Sequence, residues 1–132
     1  ITASPGQWQI VMEGMEGAMR GRGTAAATAG RNMTYDIAGK TGTAQVFSVG
    51  QNEKYNEKTV PERLRDHSWF IAFAPAEAPR IAVAVLVENG GFGSTGAAPI
   101  ARKVMDAWLL NKYDDSITAG IEAARDGQPH GE

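Results

Sequence analysis

Two apolar runs separated by five residues constrain this chain more than any other feature in it. They are Ser68 to Ala74 and Arg80 to Glu88, joined by Pro75-Ala76-Glu77-Ala78-Pro79. A connection this short makes the two runs an antiparallel hairpin. Both are apolar at odd and even positions alike, and such strands sit centrally in a sheet covered on both sides. Tyr35 to Phe47 reads as a further strand that precedes them.

Helices flank these strands. Ser4-Pro5 is a helix start, with serine at the cap and proline at the first helical position. Trp8, Met12, Met15 and Met19 follow as one helical stripe, read as core packing although Gly14 and Gly17 weaken the helix. Residues 20–33 are rich in Gly, Ala and Thr, carry Arg20, Arg22 and Arg31, and read as a loop. Gly90 to Gly96 is a glycine-rich turn. Pro99 then opens a second helix, with Ile100, Val104 and Trp108 beside Ala101 and Met105 as its apolar stripe. The fold class is therefore α/β (α+β), three antiparallel strands with flanking helices. Residues 1–110 form the folded unit and 111–132 a polar surface tail, with a weak helical stretch near Ile117 to Arg125. The polar stretch 48–66 is long enough for a compact domain to imply a functional or mobile loop. Three strands with two apolar faces need more cover than two helices provide, so the chain is expected to dock on further protein. It begins at Ile1 without an initiator Met, and is expected to be the C-terminal piece of something longer.

Composition excludes several classes. With 132 residues, 42% hydrophobic and 21% charged, the chain is globular and large enough for a core. A net charge of −2 with mixed signs gives no nucleic-acid signature. Without cysteine there is no thiol nucleophile and no disulfide. No signal peptide is visible, no apolar run approaches the roughly 18 residues of a membrane span, no acidic or histidine cluster has metal-ligand spacing, and no cofactor is expected.

The chemistry concentrates in Gly39-Lys40-Thr41-Gly42-Thr43-Ala44-Gln45. A lysine flanked by hydroxyl-bearing and side-chain-free positions is poor core material but suits a carboxylate and a developing oxyanion beside a strand. Glycines inside a strand mark places where another backbone or a ligand comes close. Thr41 and Thr43 share a face by the strand period, while Lys40 falls on the other unless the strand twists. A phosphate-binding loop would need glycine at position 34, which is Thr, and a helix directly after Thr41. Gly91-x-Gly93-x-x-Gly96 matches the dinucleotide fingerprint between strand and helix. Asp114 and Asp115 fall where that motif wants an acid, but no hydrophobic strand precedes them, and a flexible turn is the simpler reading. Asp66, His67 and Ser68 are adjacent on a strand and cannot converge as a triad. No serine has Lys three residues on or Asn two residues on.

K-T-G is one of three motifs of the penicillin-binding protein and β-lactamase active site. The wider segment Ala38 to Phe47 resembles the third motif of class B penicillin-binding proteins. Glu62-Arg63-Leu64-Arg65-Asp66-His67, Ala72-Phe73-Ala74-Pro75 and Val87-Glu88-Asn89-Gly90-Gly91 resemble the elongation-specific group of Gram-negative bacteria. The likeness runs from about Trp8 to Leu110. It implies part of a transpeptidase domain whose five-stranded antiparallel sheet is sandwiched by helices, and a serine-type D-Ala-D-Ala transpeptidase/carboxypeptidase activity that β-lactams block. By that resemblance Lys40 meets the substrate carboxylate and orients the serine of an absent S-x-N motif. Thr41 and Thr43 hydroxyls bind the same carboxylate, the Thr43 N–H is one oxyanion-hole donor, and Gly42 leaves room for the peptide. Gln45 and the 90–96 turn lie near the rim. The implied partners are the remainder of the domain, peptidoglycan stem peptides, β-lactams, a membrane glycosyltransferase and elongation-complex proteins. The implied location is the periplasmic face of the inner membrane, through an N-terminal anchor. Lacking nucleophile and base, the chain alone is expected to be inactive. A dinucleotide-binding module and a non-catalytic interaction module are the alternatives.

Overall fold

The computed structural model describes residues 2–46 and 60–112. The expectations for Phe47, for most of the 48–66 loop and for the tail from 113 on lie outside the described residues.

Helix α1 spans Pro5–Gly17 and opens with a capping box. The Ser4 hydroxyl accepts from the Gln7 N–H, and the Gln7 side chain accepts from the Ser4 N–H at 2.8 Å. Strands β1 (Ala38–Ala44), β2 (His67–Ala74) and β3 (Ile81–Val87) form one antiparallel sheet in the order β1-β2-β3. β1 is shorter than the expected Tyr35 to Phe47 because its partner is short. Pairing runs from Ala38 opposite Phe73 to Ala44 opposite His67, and Pro75 stops β2 beyond that. A single 3-10 turn, Glu62–Leu64, leads into β2. The hairpin between β2 and β3 is as expected, with Ala74 opposite Ile81 and Ser68 opposite Val87. Helix α2 (Gly93–Gly96) and helix α3 (Ala98–Leu110) complete the order.

Cover is one-sided among the described residues. Ser68, Phe70, Ala72 and Ala74 point into a core with Met19, Ile37, Ala101 and Met105. Full burial of a side chain such as Phe70 is worth about 1.5–3 kcal/mol. The other face presents Trp69 at 42%, Ile71 at 48% and Leu86 at 47% exposure. Strands covered on both sides were expected. Only β2 is central here, and among the described residues the buried core lies on one face, which agrees with the expectation that two helices do not cover both. The expected helix stripes also divide. Met19 is fully buried just past α1, yet Trp8 is half exposed. On α3, Ala101 and Met105 enter the core while Ile100, Val104 and Trp108, one residue and about 100° away, face outward.

The loop 20–33 is held from α3. The Arg102 guanidinium donates to the carbonyls of Ala29 at 2.7 Å and Arg31 at 3.0 Å, and pairs with Asp106 at 2.9 Å. Tyr35 donates its hydroxyl to the same Asp106 and stacks under Arg102. Burial first, then the Asp106 hydrogen bond, push the Tyr35 phenol above its ordinary pKa.

Candidate active site

β1 is the outer strand on its side of the sheet among the described residues, so part of its backbone hydrogen-bonding capacity is unpaired. Its register with β2 assigns the faces. Gly39, Thr41 and Thr43 lie opposite Ala72, Phe70 and Ser68, on the helix side. Lys40 and Gly42 lie opposite Ile71 and Trp69, on the open side. The lysine and the two threonines therefore flank the strand from opposite faces, as the strand period requires. Lys40 and Thr43 are exposed, Thr41 and Gly42 half-buried, and Gln45 exposed just past the strand end. The Lys40 ammonium donates to the Thr41 carbonyl at 2.6 Å, and the Thr41 hydroxyl donates to that of Thr24 at 3.2 Å.

The two glycines of the motif have different causes. A Cβ at Gly39 would stand 2.6 Å from the Phe70 ring and 3.2 Å from the Met19 sulfur. Core packing explains that glycine, and the expected approach of a ligand does not. At Gly42 a Cβ would meet the Trp69 Cβ at 3.2 Å on the open face. Glycine there keeps the strand margin low where the resemblance places the peptide.

On the helix side the glycine-rich turn closes directly on this strand. A Cβ at Gly93 would lie 2.2 Å from the Trp69 carbonyl oxygen and 2.5 and 2.9 Å from the Gly42 oxygen and nitrogen. The turn is fastened to the start of β2. Gly91 N–H donates to the Asp66 carbonyl at 2.9 Å, Asn89 N–H to His67 Nδ1 at 2.9 Å, and the buried Ser68 hydroxyl to the Phe92 carbonyl at 3.1 Å. Asn89 and Gly91 both take positive φ, which lets the chain reverse within four residues of β3. His67 accepts at Nδ1, so the neutral ring carries its proton on Nε2. Sequence reasoning left these residues as a flexible turn. No local signal marks their contact with Gly42, because it is made by the absence of side chains some fifty positions away.

This packing also removes the dinucleotide reading. The fingerprint glycines exist to admit a pyrophosphate, whereas here Gly93 is filled by the backbone of Gly42 and Trp69. A Cβ at Gly96 would stand 2.6 Å from the Ser68 hydroxyl. The sheet is antiparallel, and no parallel strand follows α3 among the described residues. Two of the described serines are likewise engaged. Ser68 is buried and bonded, and Ser4 caps a helix. Two surface hollows of about 420 and 430 Å³, lined by residues such as Met19 and Arg31 in one and Glu62 and Asn89 in the other, lie away from the K-T-G residues. Among the described residues the motif stands at a strand margin, with Lys40 and Thr43 exposed. Among the described residues no helix is long and apolar enough to cross a membrane, and no three potential metal ligands cluster.

A family model described as Penicillin binding protein transpeptidase domain matches residues 2–106. The peptidoglycan D,D-transpeptidase MrdA of Haemophilus influenzae is 45% identical over 102 residues, covering 77% of this chain and 16% of that protein. The crystal structure of Pseudomonas aeruginosa PBP2 in complex with WCK 5153 shares 45% identity and a TM-score of 0.67, over 86% of this chain and 22% of that one. The complex between PBP2 and MreC from Helicobacter pylori shares 30% identity and a TM-score of 0.62, over 80% of this chain and 18% of that one. The chain spans about a sixth of the length of the curated relative it matches.

Proposed function

The chain belongs to the penicillin-binding protein transpeptidase domain family, and on that premise we propose that it forms one wall of a peptidoglycan D,D-transpeptidase active site. The observation that carries this reading is the exposed K-T-G margin. Hydroxyls stand on one side of the strand, an ammonium on the other, and unpaired backbone lies between.

In the proposed reaction a serine outside these residues attacks the carbonyl between the two D-alanines of a stem peptide. The C–N bond breaks, D-alanine leaves as the protonated amine, and an acyl-enzyme remains. The amine of a second stem then attacks the ester, restores the serine and completes the cross-link. β-Lactams acylate the same serine. The terminal carboxylate of the donor stem is held by the Thr41 and Thr43 hydroxyls and by the field of Lys40, because charge-assisted bonds are the strong ones. The Thr43 N–H supplies one of two donors to the oxyanion, where a single donor is typically worth about 100- to 1000-fold in rate. Gly42 leaves the margin low enough for the peptide to lie as an added strand, and Gln45 lines the rim. The open sheet face takes the remainder of the domain.

Further parts of the proposal concern the longer protein. An N-terminal anchor holds it at the periplasmic face of the inner membrane, and it works with a glycosyltransferase and elongation-complex proteins. The MreC complex of the Helicobacter relative supports a partner of the last kind. Residues 111–132 lie outside the transpeptidase domain.

The test is acylation by a fluorescent penicillin in the full-length protein. Lys40→Ala lowers the second-order rate about 10- to 100-fold, the worth of one charge-assisted contact. The label maps outside these 132 residues by mass spectrometry. Unchanged acylation would leave a non-catalytic interaction module as the better reading, and an adduct within these residues would refute the division of roles.

A further inference from the structure

Thr24 sits in the loop between α1 and β1, in a stretch without any motif of its own. Its hydroxyl nevertheless accepts a hydrogen bond from the hydroxyl of Thr41, the central residue of K-T-G, at 3.2 Å. The backbone beneath it is fixed from three directions. Gly23 packs so closely on the end of α1 that a Cβ there would stand 2.1 Å from the Gly17 carbonyl oxygen. Ala25 is fully buried, and its N–H bonds the Ala18 carbonyl at 2.9 Å. Arg102 ties down the Ala29 and Arg31 carbonyls a few residues on. Thr24 is thus exposed at its tip and held at its root by packed and hydrogen-bonded neighbours, which suits a group that must hold another at a set angle.

A hydroxyl has one proton and two lone pairs. In the clamp proposed above, Thr41 has to turn its one proton toward an anion. With no anion bound, that proton goes to Thr24. When a carboxylate arrives, the Thr41 proton turns to it, and the vacated lone pair on Thr41 takes the proton of Thr24. Two bonds then run in one direction, Thr24 to Thr41 and Thr41 to carboxylate, and each polarises the next. We propose that Thr24 is a positioning residue for carboxylate recognition, acting through the Thr41 hydroxyl. This inference rests on the carboxylate-clamp reading of Thr41 and adds a partner to it from outside the motif.

The experiment measures second-order acylation of the full-length protein by penicillin and by its methyl ester, in which the carboxylate is masked. Thr24→Val keeps the shape and removes the hydroxyl. It should lower acylation by penicillin about 3- to 10-fold, the worth of one neutral hydrogen bond. Thr24→Ser should restore the wild-type rate, and the ester should react equally with wild type and Thr24→Val. No loss with Thr24→Val, an equal loss on both probes, or no rescue by Ser would each overturn the inference. Should Thr24→Val fail to fold, Thr24→Ala against Thr24→Ser gives the same comparison. Lys40→Ala, run alongside, separates the two readings. If it leaves penicillin acylation intact, the clamp itself fails. If it lowers the rate while Thr24→Val does not, only the role of Thr24 fails.

Discussion

Gly93→Ala distinguishes two opposed expectations for the glycine-rich turn. Helix propensity alone favours alanine in a short helix by about 1 kcal/mol over glycine, and the backbone of Gly93 is not in the positive-φ region that would forbid it. Packing predicts the reverse sign. The new Cβ would lie 2.2 Å from the Trp69 carbonyl oxygen and 2.5 Å from that of Gly42. Both are sheet backbone and cannot rotate aside. Relief to an ordinary carbon–oxygen contact of about 3.3 Å needs a shift of about 1 Å. The turn is anchored by Gly91 N–H to Asp66 at 2.9 Å and by Ser68 to Phe92 at 3.1 Å, and a 1 Å shift carries both beyond bonding range. Over-packing costs about 1–3 kcal/mol, and leaving buried groups such as the Ser68 hydroxyl unpaired adds about 1–3 kcal/mol each. The net destabilisation is about 3–6 kcal/mol, on the order of 10 °C for a domain of this class. The assay is the temperature at which the full-length protein loses penicillin acylation, with the 25 °C rate measured as well. That rate should also fall, because the displaced turn no longer supports Gly42. An unchanged or raised midpoint would refute the argument, since it would mean that the turn yields without breaking its anchors.

Two further predictions follow from the packing. Arg102→Lys should destabilise the full-length protein by about 1–3 kcal/mol, because an ammonium cannot reproduce a planar fork that reaches two loop carbonyls and Asp106 together; an unchanged thermal midpoint would show that loop 20–33 is held by other means. Ile71→Ser tests the open sheet face. If further protein covers it, the change should cost about 2 kcal/mol or more, whereas a truly solvent-exposed position should stay within about 0.5 kcal/mol.

The hairpin, the Ser4-Pro5 start of α1 and the K-T-G strand were legible because each depends on local chemistry, although the part Gln7 plays in the cap was not read. Ser4, Pro5 and Gln7 satisfy helix-end donors within one turn, and Pro75 and Pro79 bracket a hairpin whatever surrounds them. The family was legible from blocks that recur in order. Contacts between distant positions were not. Nothing in Gly93 announces that it must rest on Gly42, and Gly39 reads as a place where another backbone or a ligand comes close, with no sign that the Phe70 ring is what fills it. Thr24 and Arg102 lie in a glycine-rich stretch and on a helix face where hydroxyl and guanidinium read as surface. The stripes of α1 and α3 gave the right periodicity, but periodicity does not say how much of a stripe this chain covers by itself.

The division of the two sheet faces ties folding to chemistry. Thr41 and Thr43 stand on the face that α2, α3 and the 20–33 loop pack within this chain. Lys40 shares its face with Trp69, Ile71 and Leu86, the largest apolar surface left open on the sheet. Whatever covers those side chains comes to rest beside the lysine. Cover of that kind would exclude water from the ammonium and strengthen its interaction with an anion or a hydroxyl by lowering the local dielectric. On the proposed clamp reading, the hydroxyls of Thr41 and Thr43 are positioned by these residues, while Lys40 would reach full strength only when the rest of the domain docks. A perturbation on the open face, such as Ile71→Ser, should accordingly weaken the contribution of Lys40 more than that of Thr41. Lys40→Ala should then cost less in the Ile71→Ser background than in wild type, by an amount a double-mutant cycle on acylation rates reads directly. Equal costs in both backgrounds would show that the open face and the lysine are independent.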